Sequence, residues 1–290
     1  MLAAVANAQS RGVYPLGMSA TNSGVTPAPG WTYSNQLLFY FRDEAKDQSG
    51  NTVSTGRNTV LMDMNSLIWV SRAQFWGGAH YSAFVTLPVA KNDLTSDIHG
   101  RISGGGGFAD SYYVPFVLGW NKERAAIRVL YGFLAPTGRF DAGANDNVGS
   151  GYWTNAVSSG QTAYFGNDKR WAVSTYEMYE FHTVQGETDT HPGQTLDLDY
   201  SVTRAFSVAR ATTLQLGLGG YEQRQTTATT GPEITPEETV ERYAINALGA
   251  VANLNLAQHG ITAGLKLFGE FANRSTFQGN SLQLLASIKF

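Results

Sequence analysis

The stretch Ser281 to Phe290 most constrains what this chain can fold into. Leu282, Leu284, Ala286, Ile288 and Phe290 fall on one face of an extended chain, and Gln283, Ser287 and Lys289 on the other. Side chains alternate faces along a β-strand, so this two-residue period marks an amphipathic strand. The free edge of such a strand presents unpaired N–H and C=O groups that seek a partner. Pairing with the first strand of the same chain closes a barrel. The arm of a hairpin in a soluble β domain would carry the same pattern, so the remaining segments have to decide.

Eleven further runs alternate in the same way. The first begins at Trp31, with Trp31, Tyr33, Leu37, Phe39 and Phe41 on one face and Thr32, Ser34, Gln36 and Tyr40 on the other. Val60 to Ser71 and Phe75 to Leu87 follow, joined by a tight connection near Arg72-Ala73-Gln74. Tyr112 to Trp120 and Ala125 to Ala135 form the clearest hairpin, turning at Asn121-Lys122. Two less regular runs, Tyr152 to Phe165 and Trp171 to His182, leave room for a bulge. Thr195 to Thr203, Leu214 to Gln225, Tyr243 to Leu256 and Ile261 to Phe271 complete about twelve strands with the terminal one.

The connections decide the architecture. Those after the odd-numbered runs are mostly long and polar, including Arg42 to Asn58, Pro88 to Gly107, residues 139–151, Thr183 to Gly193 and Thr226 to Glu238, whereas the others are short. Long and short links that alternate place all long loops at one end. With an even strand count, this predicts an all-β, transmembrane, up-and-down antiparallel barrel with short periplasmic turns and long external loops. A sandwich with Greek-key connections has no reason to sort loop length by parity.

Composition agrees. Among 290 residues there are 32 Gly, 14 Tyr, 15 Phe and 6 Trp against only 15% charged residues, which suits many strands and turns with aromatics for two membrane interfaces. The formal net charge of −3 and the lack of any basic cluster give no footing for nucleic acid. No cysteine is present, which excludes disulfides, a thiol nucleophile and thiolate metal sites. The longest charge-free stretch, Tyr243 to Leu265, is broken by Asn246, Asn253, Asn255, Gln258 and His259, so no transmembrane helix is expected.

Residues 1–30 stand apart from the strands. Met1 to Gln9 ends in an Ala-Asn-Ala sequence like a signal-peptidase site, without a basic region or full apolar core, and reads as residual signal or as an arbitrary start. Residues 10–30 carry Pro15, Pro27, Pro29 and several glycines with no sustained period, a lead segment. The expected division is therefore a residual signal and lead segment at 1–30, placed to plug the lumen, and a barrel at 31–290.

If the apolar faces of these runs meet lipid, the opposite residues point inward. Asp63, Asn65, Arg124, Arg128 and Asp197 are then pore-lining candidates, as are Asp199, Arg242, Asn246, Lys266 and Glu270. Such residues either pair across a narrow lumen or line a solute path in a wider one. Leu38, Tyr40, Leu61, Trp69, Tyr113 and Phe268 fall on the same inward face, and a mixed lumen favours a small amphiphilic or aromatic solute over bulk ions. Lys266, Glu270 and Arg242 are expected to form a charged cluster narrowing the lumen, and Asp199→Asn to be nearly silent.

Other constellations carry less. Glu187, Asp189 and His191 have the look of hard metal ligands at spacing two, but a solvated loop collects carboxylates anyway, and no metal or other cofactor is assigned. His80-Tyr81-Ser82 sets a base beside a nucleophile without a third orienting group, so no catalytic residue and no enzyme is assigned. Gly104 to Gly107 has no helix after it, which argues for loop flexibility over phosphate binding.

Several short motifs, in order, carry a resemblance. They are Gly24 to Gly30, Thr188-Asp189 with Gly193, Leu196 to Tyr200, Gly219-Gly220-Tyr221 with Gln225, and Glu270 to Arg274 with Gly279 before the terminal Phe290. In these the chain resembles the family of bacterial outer-membrane barrels of the MetA-pathway of phenol degradation, also described as transporter-like. It departs at Gln185, Thr190 and Gln194, where the family pattern has Asn, Tyr and Asp, so no role in ligand choice is carried over to that loop.

The resemblance implies a Gram-negative outer-membrane location and passage of small hydrophobic or aromatic compounds, with lipid and the solute as partners. The terminal strand also resembles the signal, ending in Phe290, that barrel-assembly machinery reads. Two readings remain open at this point, a passive channel or transporter for such compounds and a structural or interaction barrel with a closed lumen and partner-binding loops.

Overall fold

The computed structural model describes residues 12–290, so the expected signal remnant at 1–9 lies outside the described residues. Thirteen strands form one antiparallel sheet: β1 (Gly30–Lys46), β2 (Thr52–Phe75), β3 (Ala79–Ser96), β4 (Gly100–Phe108), β5 (Ser111–Asn121), β6 (Ala125–Ala135) and β7 (Thr154–Phe165). They continue with β8 (Trp171–His182), β9 (Thr195–Ala209), β10 (Thr212–Gln225), β11 (Ala244–Leu256), β12 (Ile261–Glu270) and β13 (Thr276–Lys289). β1 pairs with both β2 and β13, and β2 with β3, whereas β4 pairs only with β3. Twelve strands thus close an up-and-down barrel, and β4 is an additional strand.

The terminal strand makes the closure. Phe39 stands opposite Leu282, Thr32 opposite Lys289, and the Phe290 N–H donates to the Trp31 carbonyl at 3.0 Å. Turns at 76–78, 122–124, 166–170, 210–211 and 257–260 lie at one end, and the 136–153, 183–194 and 226–243 loops at the other. The β2–β3 turn falls at Trp76 to Gly78 rather than Arg72 to Gln74, because Gly77 and Gly78 adopt φ of 75° and 89°, which side chains resist.

Two segments expected to be loops are largely strand. A bilayer needs only about ten tilted residues per strand, yet β2 has 24, so β1 and β2 project past the membrane and turn at 47–51. There the Asp47 carboxylate accepts the Ser49 and Asn51 N–H groups at 2.9 and 2.8 Å. Pro88 to Gly107 likewise continues β3 to Ser96 and returns as β4, with Gly104 opposite Asp93. A Cβ on Gly105 would sit 1.9 Å from the Asp146 carbonyl oxygen, so this glycine lets the 136–153 loop lie directly against β4.

The outer surface is apolar. Leu216, Leu218, Val202, Leu248, Leu267 and Leu284 are all exposed, as lipid-facing positions of a barrel require. Trp31, Trp69, Tyr81 and Phe116 chain together near the short-turn end, with centroids 6.5, 6.0 and 6.2 Å apart. Tyr113, Phe133 and Trp153 do so near the long-loop end at 5.4 and 6.0 Å. Among the described residues no helix is long and apolar enough to cross a membrane; the crossing is made by strands.

Two face assignments are corrected. On β2 it is Met62, Met64 and Val70 that turn inward, leaving Leu61, Asp63, Asn65, Leu67 and Trp69 outside. The strand is apolar on both faces, so its period alone is ambiguous. On β5, Tyr113 pairs with Phe133 and Phe116 with Tyr131, so that Val114 and Pro115 together face the single residue Gly132. This bulge contains Pro115, which has no N–H for the ladder, and it switches the facing. Tyr112 and Val114 point inward, while Tyr113 and Phe116 point outward.

Candidate functional site

The lumen holds residues 12–29, the described part of the lead segment. Proline and glycine prevent residues 12–29 from pairing as a strand, so their backbone polar groups need other partners, and the inward side chains supply them. Asp199 on β9 accepts the Tyr14 hydroxyl at 2.6 Å and the Gly17 and Ser19 N–H groups at 2.9 Å. Glu180 on β8 accepts the Val13 and Tyr14 N–H groups at 3.0 and 2.8 Å. Lys266 on β12 donates to the Gly17 carbonyl at 2.8 Å and to that of Met18. Gln283 on β13 donates to the Leu16 carbonyl at 2.7 Å.

Further along, Ser201 donates to the Ala20 carbonyl at 2.6 Å, and Thr162 accepts the Gly24 N–H at 3.1 Å. Asn121 closes both backbone polar groups of Thr26, accepting its N–H at 3.1 Å and donating to its carbonyl at 2.8 Å. The wall is small where the segment presses on it. A Cβ on Gly119 would lie 1.7 Å from Thr26 Oγ1, and one on Gly160 2.2 Å from the Ser23 carbonyl oxygen.

Of the pore-lining candidates, Asp197, Asp199, Lys266 and Glu270 point inward and are buried, and Arg128 points inward half-buried. Asp197 accepts Gln223 at 2.6 Å, and the Arg128 guanidinium lies 5.9 Å from the Tyr176 ring centroid. The others are elsewhere. Asp63 and Asn65 face outward, where Asn35 donates to them at 2.5 and 3.2 Å. Asn246 also faces outward, bonded to the Phe271 and Ala272 carbonyls near the long-loop rim. Arg124 is exposed at a short turn. Arg242 lies in the 226–243 loop, where it donates to the Thr239 and Glu241 carbonyls beside helix α1 (Pro236–Val240).

The expected Lys266–Glu270–Arg242 cluster does not form. Lys266 holds the lead segment, and Glu270 takes Arg42 of β1 in a forked pair, with Nε and Nη2 at 3.0 and 2.6 Å from Oε1. Tyr221, Asn273 and the Gly279 N–H also donate to Glu270, at 3.0, 3.1 and 3.1 Å. Sequence reasoning misses Arg42, which falls in the expected Arg42 to Asn58 loop although it shares parity with Tyr40. It also misses Glu180, whose parity with Ala172, Ser174 and Tyr176, opposite Trp171, Val173 and Phe181, is the available signal.

Between the lead segment and the wall lies a cavity of about 290 Å³. Residues 12–15 and Met18 border it on the segment side, and residues 147–150 of the loop that folds inward border it on the other. His80 and Ser82 are not arranged for nucleophilic chemistry: His80 Nδ1 lies 2.9 Å from the Ser71 carbonyl and Nε2 3.4 Å from Gln74. Glu187 accepts the Ala142 N–H at 2.9 Å, while His191 Nε2 lies 2.9 Å from the His182 carbonyl, so the two are engaged separately.

Residues 42–286 match the family described as "Putative MetA-pathway of phenol degradation". The chain belongs to this family. No curated protein matches it. Among solved structures it is similar to an outer membrane channel from Pseudomonas putida F1, with TM-score 0.71, 15% identity, and coverage of 93% of this chain and 98% of that one. It is also similar to the β domain of the Bordetella autotransporter BrkA, with TM-score 0.55, 12% identity, and coverage of 91% and 100%. At these identities the likeness is one of fold, that of outer-membrane barrels.

Proposed function

We propose that this protein is a channel of the Gram-negative outer membrane through which small hydrophobic or aromatic compounds diffuse passively, with the lead segment as its closing element. The observation that carries this reading is how the segment is held. Its described part, residues 12–29, is attached to the wall by side-chain hydrogen bonds and makes no strand pairing. None of these bonds belongs to the strand ladder, so release of the segment leaves the barrel ladder intact. Family membership supports the solute class, since it ties the chain to phenol degradation.

In the same reading Lys266, Asp199, Glu180, Asp197 and Arg128 line the path once the segment moves. The terminal strand ending in Phe290 serves as the assembly signal, read by the barrel-assembly machinery. The test compares proteoliposomes holding the intact chain, the chain lacking residues 1–28, or no protein. The expected result is greater uptake of small aromatic solutes and higher single-channel conductance after deletion. Equal uptake in all three would leave a structural barrel with a closed lumen.

A further inference from the structure

The chain has five methionines, and the four at positions 18, 62, 64 and 178 all line the 290 Å³ cavity. They come from three different places, the lead segment, β2 and β8. A thioether on an unbranched stem is polarisable and adapts its shape, and it makes favourable contacts with aromatic rings. Pro15, Pro88, Leu134 and Ala156 add further apolar wall.

Most polar groups around the cavity are already engaged, whereas the buried hydroxyl of Tyr112, which also lines it, has no hydrogen-bond partner. Asp110 accepts the Gly138 and Ser150 N–H groups and the Ser150 hydroxyl at 2.9, 2.7 and 2.6 Å. Glu180 accepts the Val13 and Tyr14 N–H groups. Asn92 donates to the Asn147 carbonyl at 3.0 Å and accepts the Gly105 N–H at 2.6 Å. Among the described residues no Lys or Arg lines the cavity, so an anionic ligand would find no counter-charge and no free donor pair. An apolar cavity of about 150 Å³ suffices for benzene, so this one has room for a substituted single ring.

We propose that the four-methionine cavity is a binding chamber for one uncharged single-ring aromatic molecule. The inference rests on the channel reading for its physiological role, but binding is separable from passage. The chamber lies where the lead segment and the inward-folded 136–153 loop meet, so an occupant is held before the segment gives way.

The test uses the full chain in detergent with 13C-labelled methionine methyls, assigned by single Met→Leu substitutions, and toluene, phenol, cyclohexane and benzoate as probes. Toluene and phenol are expected to shift the methyl signals of Met18, Met62, Met64 and Met178 saturably. Benzoate and cyclohexane should bind at least tenfold more weakly. Ala156→Phe, which fills the chamber from β7, should weaken toluene at least tenfold. The Met→Leu variants conserve volume and fold, and should each weaken it by a smaller factor. Shifts that rise linearly without saturation, or equal affinity for benzoate or cyclohexane, would overturn the proposal. Uptake measured on the same preparations separates the two readings. Saturable binding without uptake would reject the channel and keep the chamber, and uptake without saturable binding would do the reverse.

Discussion

The Tyr14 hydroxyl donates to the Asp199 carboxylate at 2.6 Å, and the Gly17 and Ser19 N–H groups complete the same carboxylate at 2.9 Å. A position expected to tolerate Asn freely is thus the main clasp of the lead segment. An Asn side chain keeps one acceptor oxygen and turns an NH2 group toward donors. Hydrogen bonds to a charged group contribute about 1.5–3 kcal/mol each, so Asp199→Asn should speed hydrogen exchange at residues 14–19 by roughly 10- to 100-fold. The melting temperature of the barrel should hardly move. Unchanged exchange in that window would remove Asp199 from the clasp.

Wall glycines make a second handle on the segment. At Gly119 an added Cβ would meet Thr26 Oγ1 at 1.7 Å, and at Gly160 the Ser23 carbonyl at 2.2 Å. Neither contact belongs to the strand ladder. Gly119→Ala and Gly160→Ala should therefore push residues 23–26 off the wall and raise single-channel conductance toward that of the chain lacking residues 1–28. Conductance identical to the parent would mean that the segment does not close the path.

The Arg42–Glu270 pair is expected to matter to the fold rather than to passage. The Glu270 side chain is fully buried and that of Arg42 is 12% exposed, with Nη2 2.6 Å from Oε1. Removing one partner of a buried pair strands the other, at a cost of about 3–5 kcal/mol. Arg42→Met should lower stability to unfolding in urea by that order, and Glu270→Gln in the same chain should recover part of it, because a neutral amide needs no counter-charge. Additive losses in the double variant would show that the two act independently.

The barrel is legible because its strands repeat one simple rule, and β13, β9 and β10 each keep an unbroken apolar run on the outer face, Leu282 to Ile288, Leu196 to Val202 and Leu214 to Leu218. β2 was misread because Met62 and Met64 are apolar and inward while Asp63 and Asn65 are polar and outward. The latter satisfy one another with Asn35 across the β1–β2 ladder, a pairing that depends on register. β5 was misread because one bulged residue reverses every face after it. The site was half legible. Lys266, Asp197, Asp199 and Glu270 follow from parity, but their partners in residues 14–19 and at Arg42 are up to 249 positions away, and no local pattern reports them.

The outer face distinguishes an outward Asp63 from a lumen-facing one. Val129 is 38% exposed on the outer face near the middle of β6, opposite Leu118 of β5. An Arg facing lipid near the bilayer midplane costs about 2–4 kcal/mol, and acidic residues cost less. Val129→Arg should therefore destabilise the barrel by that amount in liposomes. Asp63 is already an acid on the outer face beside exposed Leu61, and Asp63→Asn keeps its amide partners while removing the charge. That change should leave stability equal or raise it by up to about 1 kcal/mol, and it should not alter the cation-to-anion permeability ratio of the chain lacking residues 1–28. A lumen-facing Asp63 would instead shift that ratio toward anions with little change in stability. Reversal potentials across a salt gradient, read beside urea midpoints for the same variant, separate the two outcomes.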